Sequence, residues 1–123
     1  MHEASIACEL VSQVLKAAEP LQADRIDEVH VHVGALRRVV PEALDMAFAG
    51  AAEGTIAEKA KLHIVEERVL AVCRGCGCLF VPDLTEFNFQ CPQCQQSDAR
   101  IIAGNDIMLV SLVCHSRQEA EAT

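Results

Sequence analysis

The sequence has almost no aromatic side chains: Trp and Tyr are absent, and four Phe make up the whole aromatic content of 3%. Its core must therefore be built mainly from Val, Leu, Ile and Ala, which a hydrophobic content of 51% supplies in sufficient amount. A chain of 123 residues predicts one ordinary domain, or one domain that carries a small inserted module.

Long apolar runs and a secretory leader are also missing. No stretch approaches the roughly 20 apolar residues that a membrane-spanning helix needs. The start, Met1-His2-Glu3, lacks the basic region that opens a signal peptide. We therefore expect a cytoplasmic protein with no membrane partner. In that reducing compartment the seven cysteines are expected to bind metal more often than to form disulfides.

Positive charge is scarce. Ten Lys and Arg stand against eighteen Asp and Glu, which gives a formal net charge of −8. Because nucleic-acid affinity depends largely on cationic side chains that displace counterions from phosphates, nucleic acid is disfavoured as a partner. Arg37-Arg38 is the only tight basic pair, and it is too small to support binding alone.

The periodicity of apolar residues predicts an α+β fold. Helical spacing recurs from about residue 4 to 18 and again from Pro41 to about residue 54. Strands are expected around residues 29–33, at about 60–65 and over 107–114. This order predicts two helices packed on a three-stranded sheet. The last strand is almost continuously apolar, which predicts burial on both faces, as a central strand or in an oligomer contact such as a homodimer.

Two cysteine pairs predict a metal-binding module inserted before the last strand. Cys73-Arg74-Gly75-Cys76 and Cys91-Pro92-Gln93-Cys94 are C-x2-C turns separated by residues 77–90. Four soft thiolates suit a tetrahedral zinc ion, and a closed set of four leaves no position for a substrate. We expect a structural zinc ion on Cys73, Cys76, Cys91 and Cys94 in a zinc-ribbon-like module of residues 71–101. The α+β domain then consists of residues 1–70 and 102–123.

Other interpretations of the cysteines remain open at this point. The thiols could be redox-active or merely buried, iron could replace zinc as in a rubredoxin-like electron carrier, or the module could be a zinc-ribbon interaction module. Cys78 is a fifth nearby thiol, and because it breaks the spacing we interpret it as a bystander or an occasional substitute ligand. Gly77 suits the positive φ of the first turn, whereas Gln95 at the matching place is less favourable.

A second candidate metal site lies at the N-terminus. The α-amine of Met1, the deprotonated amide of His2 and the ring Nδ1 of His2 can close adjacent chelate rings on one ion. Planar nitrogen coordination of this kind favours Ni(II) or Cu(II) over zinc. The fourth position is left for Glu3 or for another molecule, and such openness suits transfer better than storage. Taken alone, a histidine near a chain start is weak evidence for a metal site.

The remaining histidines are interpreted as ordinary polar residues rather than as metal ligands. His30 and His32 share one face of a predicted strand and could chelate a metal, but such a pair more often marks the polar face of a sheet. His63 and His115 are unpaired in sequence and are interpreted as ordinary surface or hydrogen-bonded residues.

Catalytic motifs are not evident. The sequence contains neither a Gly-rich phosphate loop nor a nucleophile motif such as G-x-S-x-G, so we do not expect an enzyme. Cys8 and Cys114 are interpreted as small hydrophobic residues, the commonest role of a free cysteine in a core.

The chain as a whole resembles the HypA/HybF family of nickel metallochaperones, accessory proteins that help to insert nickel into nickel–iron hydrogenases. The resemblance covers essentially the full length and rests on the Met-His-Glu start, Val33-Gly34-Ala35-Leu36, Val40-Pro41-Glu42-Ala43-Leu44, Ala47-Phe48, Gly54-Thr55, Leu62-His63-Ile64 and the two Cys pairs.

The resemblance implies a transferable nickel ion on His2, with Glu3 and the Met1 amine contributing, and structural zinc on the four paired cysteines. It also implies two partners, a GTPase that supplies or accepts nickel and the hydrogenase large-subunit precursor, with urease as a second recipient in some organisms. The chain departs from the family pattern at two places. Arg37-Arg38 replaces the frequent Ser-Gly, and Gln95 replaces the usual Gly after Cys94.

Overall fold

The computed structural model describes residues 3–116 of the chain. Its helices are α1 (Glu3–Ala18) and α2 (Pro41–Ala52), and its strands are β1 (Ala23–Gly34), β2 (Lys61–Glu67), β3 (Leu70–Cys73), β4 (Leu79–Phe80), β5 (Ala99–Ala103) and β6 (Ile107–Ser116). One sheet has the order β2-β1-β6 and a separate sheet has the order β4-β3-β5. The predicted fold class is confirmed. Within the described residues, no helix is long and apolar enough to cross a bilayer.

The chain divides into two compact units. The first comprises the chain up to residue 32, residues 39–65 and the chain from residue 108; the second comprises residues 33–38 and 66–107. The predicted functional division, with a zinc-binding module of residues 71–101, stays a prediction.

The core of the first unit is aliphatic, as the shortage of aromatic residues requires. Its buried residues are Ala7, Leu10, Val11, Val14 and Ala18 of α1, Leu44, Phe48 and Ala52 of α2, and Ile26, Val29 and Val31 of β1. On α1 the helical period places Ala18, four residues after Val14, on the buried face. The neighbouring Ala17 is exposed. Cys8 is exposed as well, so its interpretation as a core residue is wrong.

The prediction for the last strand is wrong in one respect. β6 lies at the edge of its sheet, beside the central strand β1. Met108, Val110 and Val113 are 57%, 50% and 45% exposed, so β6 is not buried on both faces. A nearly continuous run of apolar residues thus occurs here on an edge strand, and such a run does not by itself indicate a central strand. A homodimer through this strand stays a prediction.

Two glycines allow a close approach of backbone segments in the second unit. The N–H of Gly34 donates to the carbonyl of Asp106 at 2.7 Å, and the N–H of Leu36 donates to the carbonyl of Gly104 at 2.9 Å. A Cβ on Gly34 would lie 2.2 Å from the carbonyl oxygen of Gly104. Gly104 has a φ of +88°, and a Cβ there would lie 2.5 Å from Cα of Val69. Both positions therefore require glycine.

Substitution of either glycine tests this packing. We expect Gly34→Ala and Gly104→Ala each to lower the free energy of unfolding by about 1–3 kcal/mol, because backbone atoms must move to accept the methyl group. Gly50→Ala is the matched control: Gly50 lies on α2 with nothing within 4 Å of an added Cβ. It should raise the free energy of unfolding by about 0.4–1 kcal/mol. Urea denaturation measures all three, and an unchanged midpoint for Gly34→Ala would contradict the close approach.

Candidate metal centre

Two backbone turns of the same form present the paired cysteines. In the first turn the N–H of Cys73 donates to the carbonyl of Cys78 at 2.9 Å, and the N–H of Gly77 donates to the carbonyl of Cys73 at 2.9 Å. In the second turn the N–H of Cys91 donates to Gln96 at 2.8 Å, and the N–H of Gln95 donates to Cys91 at 2.9 Å. The two C-x2-C segments thus fold into equivalent turns.

The four sulfur atoms of these turns form a single cluster. Sγ of Cys73 lies 3.4 Å from Sγ of Cys94, and Sγ of Cys76 lies 3.5 Å from Sγ of Cys91. All four lie within 4.8 Å of one another. A tetrahedral zinc ion with Zn–S bonds of about 2.3 Å holds its sulfurs about 3.8 Å apart. The donor set and its spacing therefore fit zinc, with small outward shifts of the side chains.

The backbone stabilises one thiolate in each turn. The N–H of Cys94 and the N–H of Gln93 donate to Sγ of Cys91 at 3.5 and 3.4 Å, and these bonds lower the pKa of Cys91 to about 6, Cys94 contributing most. The pKa of Cys73 is likewise lowered, first by the backbone N–H of Cys76 and then by the thiol of Cys94. Cys73 and Cys91 are also the two sulfurs buried from solvent.

The other two thiols resist ionisation. The backbone N–H of Cys78 lowers the pKa of Cys76, but loss of solvent and the neighbouring sulfurs outweigh it and raise that pKa to about 12. The pKa of Cys94 is also raised: the N–H of Gln96 lowers it, but Cys73 and loss of solvent raise it more. Without a cation, the cluster therefore favours a mixture of thiolates and thiols. A divalent cation removes this penalty, because it compensates the charge of four thiolates.

Cys78 and Gln95 are the two doubtful residues of this region. Cys78 is not a member of the four-sulfur group, and its thiol donates to the carbonyl of Leu79 at 3.6 Å. Gln95 has a φ of 65°, matching the 77° of Gly77 in the first turn. A non-glycine residue thus adopts the left-handed conformation that the turn needs, and its carbonyl accepts a bond from Nε2 of Gln90 at 3.0 Å.

Arg38 occupies the other position where glycine is frequent in the family pattern. It adopts a φ of 54°, again in the left-handed region. Its guanidinium donates to the carbonyl of Leu84 at 3.2 Å and lies 4.2 Å from the centroid of the Phe87 ring. These two contacts stabilise Arg38 in the left-handed conformation, which a residue with a Cβ otherwise disfavours.

Of the predicted nickel ligands, the structure describes only Glu3. Met1 and His2 lie outside the described residues. Glu3 is the first residue of α1, and its Oε2 accepts a hydrogen bond from the backbone N–H of Val40 at 3.2 Å. Val40 immediately precedes α2, so this bond links the starts of the two helices.

The structure groups two of the histidines in a way that the sequence-based interpretation did not predict, whereas His115 is hydrogen-bonded, as interpreted. His30 is stacked on His63 of the neighbouring strand rather than grouped with His32, and both rings lie beside Glu28. His115 contacts the carboxylate of Asp24 at 2.9 Å. The sequence places Glu28 and His30 on one strand face, but the partnership with His63 depends on the order of the strands, which the sequence does not give.

The chain matches one protein family over nearly its whole length. Residues 1–114 match the model described as "Hydrogenase/urease nickel incorporation, metallochaperone, hypA". The hydrogenase maturation factor HypA of Chloroflexus aurantiacus is 40% identical over 115 residues, which cover 91% of this chain and 97% of that protein. The factor of the same name from Aquifex aeolicus is 38% identical over 112 residues, covering 91% and 96% respectively.

A solved structure agrees with these matches. The solution structure of the Ni metallochaperone HypA from Helicobacter pylori superposes with a TM-score of 0.72 at 28% identity. The superposition covers 95% of this chain and 100% of that chain.

The state of the thiols predicts that zinc binding releases protons. Near pH 7.5, Cys91 with a pKa of about 6 is already a thiolate. Cys76 and Cys94 have raised pKa values, so each must lose its thiol proton in order to bind zinc. We expect at least two protons to be released per zinc ion at this pH, one each from Cys76 and Cys94. Calorimetry in buffers of different ionisation enthalpy measures that number.

The affinity for zinc should therefore decrease as the pH is lowered. Below about pH 6 it should decrease more steeply, because Cys91 then also binds a proton that zinc must displace. Cys78→Ser is the matched control, and it should keep both the stoichiometry and the proton release, whereas Cys94→Ser should weaken zinc binding strongly. A zinc affinity independent of pH between about 6 and 8 would contradict this description.

Proposed function

The chain belongs to the HypA family of nickel metallochaperones for hydrogenase maturation, and on that basis we propose that it takes up Ni(II) at Met1, His2 and Glu3 and delivers it to a hydrogenase precursor. The observation that carries this proposal is the family match over residues 1–114, which includes the Met-His-Glu start. The family is one of chaperones rather than enzymes, in agreement with the lack of a catalytic motif.

The chemistry of the first residues supports nickel as the cargo. The Met1 amine, the deprotonated His2 amide and the His2 ring Nδ1 provide three nitrogens in one plane, the arrangement that Ni(II) accepts readily. A fourth position remains for Glu3 or for a donor of the recipient. Because a recipient can enter at that position before the chain releases the ion, such a site favours transfer over permanent storage.

Glu3 couples the proposed nickel site to the fold. Its carboxylate already accepts the backbone N–H of Val40 at 3.2 Å. A nickel ion that recruits the same Oε2 competes with this bond, which joins the starts of α1 and α2. Nickel binding would then weaken the hydrogen bond at the start of α2. This point follows Arg37-Arg38 in the sequence, where the chain departs from the family pattern.

We assign the four cysteines to a structural zinc ion. When bound, zinc supplies a redox-inert cross-link between the two turns, with all four positions filled by thiolates and none left for exchange. Cys73, Cys76, Cys91 and Cys94 hold the ion, and Cys78 stays outside the coordination shell.

Partners and location follow from the family and the cysteines. We propose that a nickel-handling GTPase and the hydrogenase large-subunit precursor bind this chain, with urease maturation as a second destination that the description of the family model includes. All seven cysteines are free thiols, and the cytoplasm is the compartment that keeps them reduced.

The first test removes the imidazole. His2→Ala should abolish nickel binding at the N-terminal site, so that the variant binds one equivalent less than wild type while the circular dichroism spectrum and the zinc content stay unchanged. The reason is that the imidazole, which closes the six-membered chelate ring, is lost. Equilibrium dialysis of zinc-loaded protein measures the loss, and Cys78→Ser serves as a variant that should retain nickel. A His2→Ala variant that binds as many equivalents of nickel as wild type, with the same affinity, would refute the mechanism.

The second test blocks the amine. A peptide tag or an acetyl group on Met1 should weaken nickel binding by at least about tenfold, because the amine can no longer donate its lone pair. The same tag at the C-terminus is the control. Equal nickel affinity for the N-terminally tagged and untagged proteins would exclude the amine from the site.

A further inference from the structure

Three side chains of the first unit converge on one face of its sheet. Glu28 and His30 lie two residues apart on β1, and His63 lies on the adjacent strand β2. Oε1 of Glu28 is 3.3 Å from Nε2 of His30 and 2.9 Å from Nε2 of His63. The three donor atoms all lie within 4.8 Å of one another.

The two imidazoles are held in a fixed mutual orientation. Their ring centroids are 4.5 Å apart and their planes differ by 8°. The stacked rings turn the same nitrogen, Nε2, towards the same carboxylate oxygen. The opposite face of β1 is fully buried at Val29 and Val31, so the strand that carries Glu28 and His30 is anchored in the core.

His63 carries an unsatisfied nitrogen. Its Nε2 is shielded from water and has no hydrogen-bond partner within residues 3–116. The approach to Glu28 at 2.9 Å is short but lacks the direction that a hydrogen bond requires. A buried polar atom in this state costs free energy, and a cation that accepts its lone pair would satisfy it.

We propose that Glu28, His30 and His63 bind a divalent transition-metal ion of the Ni(II) or Zn(II) type. Two imidazoles and one carboxylate suit borderline ions of the first transition row, whereas calcium and magnesium require more oxygen donors. Metal–nitrogen bonds of about 2.0–2.1 Å require the two rings to tilt towards each other. The side chains are 34–41% exposed, which allows that adjustment.

The site differs in kind from the four-cysteine centre. Three protein ligands leave at least one coordination position open for water or for a donor from another molecule, as in exchangeable rather than structural sites. It uses none of Met1, His2, Glu3 or the four paired cysteines, so it does not rest on the N-terminal nickel proposal. It gives the chain a second place at which to hold an ion on nitrogen and oxygen.

The test uses full-length protein loaded with zinc at the cysteines and carrying His2→Ala, which removes the N-terminal site. Titration with Ni(II), followed by calorimetry, should show one further equivalent bound. Adding His63→Gln should weaken that binding by about 100-fold or more, since even the loss of a group that only supports a ligand costs 10–100-fold. Glu28→Gln should act in the same direction.

His115→Gln is the matched control. His115 contacts Asp24 at 2.9 Å with a similar exposure of 38%, but the pair has no second imidazole, so its loss should leave the binding unchanged. Ring 1H–15N spectra give a second readout. An additional equivalent of Zn(II) should shift the Nε2 resonances of His30 and His63 and leave those of His115 in place.

The proposal is overturned if the His2→Ala protein binds no further nickel or zinc, if His63→Gln leaves the binding intact, or if the two Nε2 resonances do not move. The comparison of wild type with His2→Ala tests the N-terminal site independently. If wild type binds no more nickel than His2→Ala while His63→Gln abolishes all nickel binding, the N-terminal proposal fails and the sheet site stands.

Discussion

Four sulfur atoms within 4.8 Å of one another cannot all be thiolates unless a cation lies among them, and the second unit is built around this constraint. One buried group of this unit consists of Ala71, Cys73, Phe80 and Cys91, two of which belong to the sulfur cluster. Cys73 is also the last residue of β3 and pairs with Ala99 of β5. A metal ion bound to the four cysteines would therefore be linked directly to the short sheet through Cys73, and it would cross-link the two turns.

Three non-glycine residues of the same unit, Arg38, Phe87 and Gln95, have a positive φ, a conformation that favours glycine. Two of them, Gln95 and Arg38, stand at the places where the resemblance to the family implies glycine. The structure supplies compensation at each place: Gln95 donates to Cys91 and accepts from Gln90, while Arg38 donates to Leu84 and covers Phe87. Contacts to neighbouring residues thus stabilise both of these departures in the left-handed conformation.

Sequence reasoning succeeded where a local pattern has a single physical meaning. The 3.6-residue period gave both helices, alternation gave β1, and two cysteine pairs of the right spacing identified the sulfurs that the structure brings together. It failed where the answer depends on which strands are neighbours. The apolar run of β6 did not reveal an edge strand, and nothing in the sequence joined His63 to Glu28. The predicted nickel ligands Met1 and His2 lie outside the described residues, so the N-terminal site stays a prediction.

Together, these features separate two kinds of metal chemistry within one chain. In the proposed function, sulfur holds a permanent ion in a closed site, whereas nitrogen and oxygen donors with an open position hold an ion that can leave. X-ray absorption at the nickel and zinc edges of untagged protein loaded with one equivalent of each metal tests this separation most directly. The account predicts nickel surrounded only by nitrogen and oxygen, and zinc surrounded by four sulfurs at about 2.3 Å. Sulfur in the nickel shell, or fewer than four sulfurs around zinc, would contradict it.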